Sequence, residues 1–186
     1  MILLVGLGNP TPDSKDNRHN IGFKIIDAIN QKFSLSKQKP KFKGLLTTGN
    51  ILNKKVYAIK PLTFMNNSGI CIRELIEYFK IGVEDIIVFH DDLDIDFGKI
   101  KAKFGGSSAG HNGIASIDKF VGKDYSRVRI GIGKPDSKIS ASDYVLNNFS
   151  EEEKQQLDKI TDNIISSISI LIDKKLELFS SSVNNK

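Results

Sequence analysis

The sequence of 186 residues holds one cysteine, Cys71, which excludes an intrachain disulfide and a cysteine-based zinc site. No run of apolar residues approaches the eighteen or so that a membrane helix needs. The apolar start, Met1 to Leu7, lacks a basic leader and runs straight into Gly8-Asn9-Pro10, unlike a signal peptide. A cytoplasmic protein is the expectation. There is no internal repeat and no long low-complexity tract. With 39% apolar and 26% charged residues, the composition is that of a globular chain, expected to form a single domain over 1–179 with a frayed tail at 180–186.

Several signatures of chemistry are incomplete. Gly6-x-Gly8-x-x reaches Thr11 where a dinucleotide fingerprint needs its third glycine, and no Lys-Ser or Lys-Thr pair follows to make a P-loop. In DDLDIDFG the calcium-loop glycine is replaced by Phe97 and the closing glutamate by Lys103. No Gly-x-Ser-x-Gly elbow occurs. Cys71, between Ile70 and Ile72 in a helical pattern, reads as a small buried side chain. No cofactor and no metal are expected, and the protein supplies no evident nucleophile.

Acids are scarce where bases are dense. Nine Lys or Arg face three Asp between Lys99 and Lys138, against a whole-chain net charge of +5. Bases that alternate along strands, interleaved with glycine, point to a phosphate-bearing partner. The run KQKPKFK at 37–43 adds four lysines and reads as solvated surface.

Periodicity predicts a buried strand at 2–7, a loop at 8–18 and a helix over 19–33. A hairpin follows at 45–60 around Asn53-Lys54, then a helix over 68–79 and a buried strand over 85–90. Alternating strands at 99–104 and 127–132 enclose a glycine-rich loop and a helix at about 113–121. A short helix near 140–148 precedes one that starts at a capping box, Ser150 with Glu153, and is expected to run unbroken to Phe179. The order implies a three-layer α/β/α sandwich around a mixed, mostly parallel twisted sheet. Ligands then gather beyond the carboxyl ends of strands, where the loops after Leu7 and His90 fall.

Three histidines sit beside loops: His19, His90 and His111. His90, ending an apolar strand, reads as structural. An imidazole at His19 can take a proton from water, and a carboxylate such as Asp91 can fix its tautomer. Asn9, Asn66 and Asn112 stand in apolar or glycine-rich settings, where an amide can position a substrate or donate to an oxyanion, or serve only as a turn residue.

The segments GLGNP (6–10), RHNIGF (18–23), KPLTFMNNSG (60–69), HDDLD (90–94), GKIKAKFGG (98–106), GHNG (110–113), RVRIGIGKP (127–135) and DYVLNNFS (143–150) together resemble the bacterial peptidyl-tRNA hydrolase family. The resemblance implies hydrolysis of the ester between a peptide and the 3′-terminal ribose of tRNA, by a monomer. By motif it assigns His19 as base and Asp91 as its orienting acid. Asn9 and Asn66 would place water and stabilise the oxyanion, and Asn112 would contact peptide or terminal nucleotide. Phe64 and Met65 become an apolar wall, and Lys101, Lys103, Arg129 and more weakly Lys138 grip tRNA phosphates. Ser14 falls near the substrate's end, where the family commonly has tyrosine. Thr11, Asn17 and Ser107-Ser108-Ala109 also depart from the family pattern. An RNA-binding module without hydrolysis, and a small-molecule α/β hydrolase, are the alternatives.

Overall fold

A computed structural model describes residues 1–186. Strand β1 (Ile2–Gly6) leads through two short turns of 3-10 helix to α1 (Ile21–Lys32). Three strands follow, β2 (Lys39–Lys41), β3 (Gly44–Ile51) and β4 (Lys54–Pro61), then α2 (Ser68–Phe79) and β5 (Ile86–Asp92). Next come β6 (Ile100–Phe104), α3 (Asn112–Val121) and β7 (Ser126–Gly131). The chain closes with α4 (Ala141–Leu146), α5 (Glu151–Ser166), α6 (Ile168–Ile172) and α7 (Leu176–Asn184). The seven strands form one sheet in the order β2-β3-β4-β1-β5-β7-β6. Its four central strands, β4, β1, β5 and β7, are parallel, and β2, β3 and β6 are antiparallel additions at the edges.

The two faces are built from alternate residues of the same strands, as a two-residue side-chain period requires. Leu4, Ala58, Ile87, Phe89 and Val128 belong to one core with Ile25 and Ile29 of α1 and residues of α5, α6 and α7. Leu3, Val5, Ile59 and Val88 belong to the other, with Leu75 of α2 and Ile117 of α3. The sandwich is therefore three-layered. After β1 the chain adds β4 on one side of it, and after β4 it adds β5 on the other. The loops beyond β1 and β5 consequently open at a topological switch point.

Close approach of α1 to β1 depends on two glycines. A Cβ at Gly22 would collide with the backbone of Leu7 and Phe89, and one at Gly6 with the Gly22 carbonyl. This is why the helix can start immediately beside the sheet.

Three expectations change. The hairpin turns on Leu52 and Asn53, both with positive φ (48° and 65°), one residue earlier than Asn53-Lys54. The lysines of 37–43 are exposed, as expected of solvated surface, and within them β2 is an edge in which Pro40 and two lysines make poor partners for another chain. The last helix is not continuous. Breaks at Ser167 and at Asp173–Lys175, where Lys174 has φ 61°, fold the segment back so that Leu157, Ile164, Leu171, Phe179 and Val183 share one core.

Nor is 180–186 frayed: α7 continues to Asn184, and Val183 is buried. Asn184 Oδ1 accepts from the Ile100 amide at 2.9 Å while its Nδ2 donates to the Ile100 carbonyl at 2.8 Å. One turn earlier, Ser180 Oγ accepts from the Ala102 amide at 2.8 Å. The polar residues that resemble a loose tail serve the free edge of β6.

Gly22→Ala is expected to destabilise the protein by about 3 kcal/mol, at the upper end of overpacking costs. Urea unfolding measures it; a loss below about 0.5 kcal/mol would show that α1 can move off the sheet.

Candidate active site

The carboxylate of Asp91, at the end of β5, is buried, and two imidazoles approach it. His19 Nδ1 lies 2.9 and 2.8 Å from its two oxygens, and His111 Nε2 lies 2.9 Å from Oδ1. The hydrogen bonds fix the tautomers. His111 is the N-cap of α3, where its Nδ1 accepts from the amides of Gly113 (3.1 Å) and Ile114 (3.3 Å). Its proton is therefore on Nε2, which donates to Asp91. His19 donates to Asp91 through Nδ1, which leaves Nε2 as its basic nitrogen.

Burial by itself would raise the Asp91 carboxyl, but the charges and hydrogen bonds of His111 and His19 outweigh it and hold the group well below the usual carboxylate range. Asp91 stays ionised. His19, Asp91 and His111 present ligand atoms close enough to hold a metal ion, but the nitrogens facing Asp91 carry the protons that satisfy it.

His90 is a different case. Its Nδ1 donates to the Asp91 carbonyl at 2.8 Å, its ring stands edge-on to that of His111 at 4.9 Å, and its Nε2 has no partner. Burial, aided by His111, lowers its pKa to about 3, so it is neutral and structural.

Asn9 is held from both sides. Buried Asn20 accepts from the Asn9 amide and donates to its carbonyl, both at 2.9 Å. The Asn9 side-chain oxygen accepts from the Met65 amide at 2.9 Å, which leaves its Nδ2 available. Met65 reaches this position because Phe64 adopts φ 60° and ψ 159°, a region that side chains other than glycine rarely occupy and that costs about 1–3 kcal/mol. The reversal turns Met65 inward and leaves Phe64 exposed.

These groups surround a cavity of about 710 Å³, lined by Asn9, His19, Phe64, Met65, Asn66 and Asp91–Asp94 together with Ser108–Asn112 and the inner side of α4. A wider groove of about 840 Å³, between α1 and the α5–α6 corner, contains no histidine and shares no residue with it. Asn66 and Asn112 are exposed at the cavity wall. Ser14, expected near the substrate, is turned inward: its hydroxyl pairs with that of Thr11 at 2.6 Å, and it does not line the cavity.

Apart from Lys138, the basic residues expected to bind phosphate lie on the edge strand β6 and its neighbour β7. In the β6–β7 register Lys101 faces Arg129 and Lys103 faces Arg127. Like charges directly opposite each other are unfavourable, and the two arginines are neutralised in different ways. Arg129 pairs with Asp92 at 2.8 Å. Arg127 is buried and donates to the carbonyls of Ser107 (2.7 Å) and Gly105, bracing the glycine-rich loop. Lys101 and Lys103 remain for an external anion, and Lys138 is exposed in the loop before α4.

Asn20 and His111 are the residues that sequence reasoning missed. Asn20 stood in the quoted RHN and His111 in the quoted GHNG, but partners eleven and twenty residues away leave no periodic signal.

An imidazole held by a buried carboxylate, with amides around it, has the means to activate water for hydrolysis in an α/β fold, whereas the one thiol is buried in α2 and pushed up to about 12 by that burial. The sequence pattern of the peptidyl-tRNA hydrolase family matches residues 3–186. A peptidyl-tRNA hydrolase of Pelagibacter ubique is 78% identical over 186 residues, all of both chains. Another, from Ehrlichia canis, is 45% identical over 183 residues, covering 98% of this chain and 94% of that one. The crystal structure of peptidyl-tRNA hydrolase from Acinetobacter baumannii matches with a TM-score of 0.92 at 34% identity, over 99% of this chain and 94% of the other. The chain belongs to the peptidyl-tRNA hydrolase family.

The neutral His90 has a consequence for acid stability. Unfolded, it takes a proton near pH 6.5; folded, only near pH 3. Between these values the unfolded chain binds the extra proton, so stability is complete above about pH 6.5 and declines toward pH 3, by about 3 kcal/mol at pH 4. Urea midpoints from pH 8 to 4 are expected to fall on this limb, and His90→Asn to flatten it. An unchanged limb in the variant would assign the proton to another group.

Proposed function

We propose that His19 is the general base in hydrolysis of peptidyl-tRNA, the reaction of the family, and that Asp91 orients it. The observation that carries this reading is the tautomer: with Nδ1 donating to a buried carboxylate, His19 Nε2 is the unoccupied lone pair of a side chain lining the cavity. Water gives its proton to Nε2 as its oxygen attacks the ester carbonyl carbon. The tetrahedral intermediate collapses with cleavage of the bond to the 3′ ribose oxygen, which takes the proton back from the imidazolium. A peptide acid and free tRNA result, with no covalent enzyme intermediate.

Asp91 stabilises the imidazolium without accepting its proton. His111 supports this division by donating a second hydrogen bond, which lowers the basicity of the carboxylate. The free Nδ2 of Asn9, with Asn66 and Asn112, supplies neutral donors where the oxyanion and the peptide sit. Phe64 and Met65 form the apolar wall, and Lys101 and Lys103 take the tRNA phosphates, while Arg129, expected among them, is held by Asp92. The reading extends to a monomer that acts in the cytoplasm, where peptidyl-tRNA is made.

His19→Ala is expected to lower kcat for an N-acetyl-aminoacyl-tRNA by about 10²–10⁴-fold, the range of a lost general base. Undiminished release of tRNA would sink the role. Lys103→Ala is expected to raise KM for the tRNA substrate, leave a short nucleotide ester unaffected, and reduce the salt dependence of kcat/KM by about one unit of log–log slope. Equal losses on both substrates would argue against a phosphate contact.

A further inference from the structure

Arg18 precedes the base in sequence but does not line the cavity, and its guanidinium is buried. Nη1 donates to the carbonyls of Tyr144, Asn147 and Asn148 at 3.5, 3.3 and 3.1 Å. Nη2 donates to both oxygens of Glu153 at 3.2 and 3.3 Å. The guanidinium carbon lies 4.2 Å from the Tyr144 ring centroid and 5.6 Å from that of Phe149. The carbonyls lie at and just beyond the end of α4, where that of Tyr144 also accepts from the Asn147 amide, and Glu153 belongs to the first turn of α5. Backbone bonds reinforce the join: the Arg18 amide donates to Asn147 and the Phe149 amide to Asp16, both at 3.1 Å.

The other end of α4 is held differently. Bonds in the loop before it are local, from Lys138 and Ile139 back to Asp136. Tyr144 Oη donates to the Ile132 carbonyl at 2.7 Å. Meanwhile Ala141, Ser142, Val145 and Leu146 form one wall of the cavity. Besides the Tyr144 tie to Ile132, the wall is thus joined to the loop carrying His19 through the residue next to His19.

We propose that Arg18 is a positioning residue that fixes the α4 wall against the loop carrying His19, and so determines how firmly the ester-bearing end of the substrate is seated. It touches neither substrate nor the transferred proton. A planar fork can serve three carbonyls and a carboxylate together, whereas an ammonium offers one point of charge. Closing the core would not need such a group, for burying a guanidinium is unfavourable and its Nε is left without a partner. The inference rests on reading the cavity as the site of ester hydrolysis.

The test is steady-state kinetics on an N-acetyl-aminoacyl-tRNA with Arg18→Lys, Glu153→Gln, Leu146→Ala and the Arg18→Lys/Leu146→Ala double variant. Arg18→Lys and Glu153→Gln are expected to raise KM about tenfold and several-fold, with kcat within twofold and an unchanged pH profile. In the double variant the KM increase is expected to fall short of the product of the single effects, because both act on the same wall. Unchanged KM, a loss confined to kcat, a displaced pH profile or fully multiplicative effects would each overturn the proposal. If Arg18→Lys does not fold, Glu153→Gln reports the same quantities with the arginine in place. His19→Ala is the control: turnover surviving in it refutes the site itself, whereas turnover lost in it, with KM unmoved in the Arg18 and Glu153 variants, refutes only the clamp.

Discussion

A carboxylate with almost no access to water must stay charged, and the arrangement around it follows from that constraint. Asp91 sits at the end of β5, next to the middle strand of the sheet. His19 reaches it from the start of α1 and His111 from the start of α3, one from each face of the sheet. Removing either imidazole would leave a buried charge short of a donor, which is far more costly than losing an exposed pair. The demands of stability and of chemistry therefore coincide at one side chain. The donor that keeps Asp91 ionised through α3 also leaves the His19 bond free to fix the tautomer of that imidazole.

Much of this was legible in the sequence, for identifiable reasons. β1, β5 and α2 are announced by continuous or periodic apolar residues, since their burial depends on local pattern. Asn9, His19 and Asp91 lie in compact motifs beyond strand ends, so that topology alone brings them together. The unread features depend on distant partners. Whether Ser14 faces a substrate or Thr11 is decided by the path of a whole loop. Arg18 binds acceptors more than a hundred and twenty residues away. The break at Ser167 brings Leu157, Leu171 and Phe179 into one core, a demand of packing that no window of sequence contains.

The basic surface shows the same dependence on pairing. Counted along the chain, Arg127 and Arg129 are two more charges in a positive run. Folded, one becomes a brace for the glycine-rich loop and the other a partner of Asp92. Charge density in a sequence thus overstates the charge offered to a ligand. The register of two strands, which sets Lys101 and Lys103 against those arginines, identifies the remainder.

The contacts of α7 with β6 bear on a hazard peculiar to this chemistry. An enzyme that releases peptides from tRNA works among extended, unfolded chains, and an open sheet edge would recruit them as additional strands. At β6 the outward backbone groups of Ile100 and the amide of Ala102 are already taken by Asn184 and Ser180. At the opposite edge Pro40 and its flanking lysines discourage pairing. The sheet can therefore present its cavity to a nascent peptide without offering its own backbone as a template, and a product, once cleaved, has no strand on which to remain.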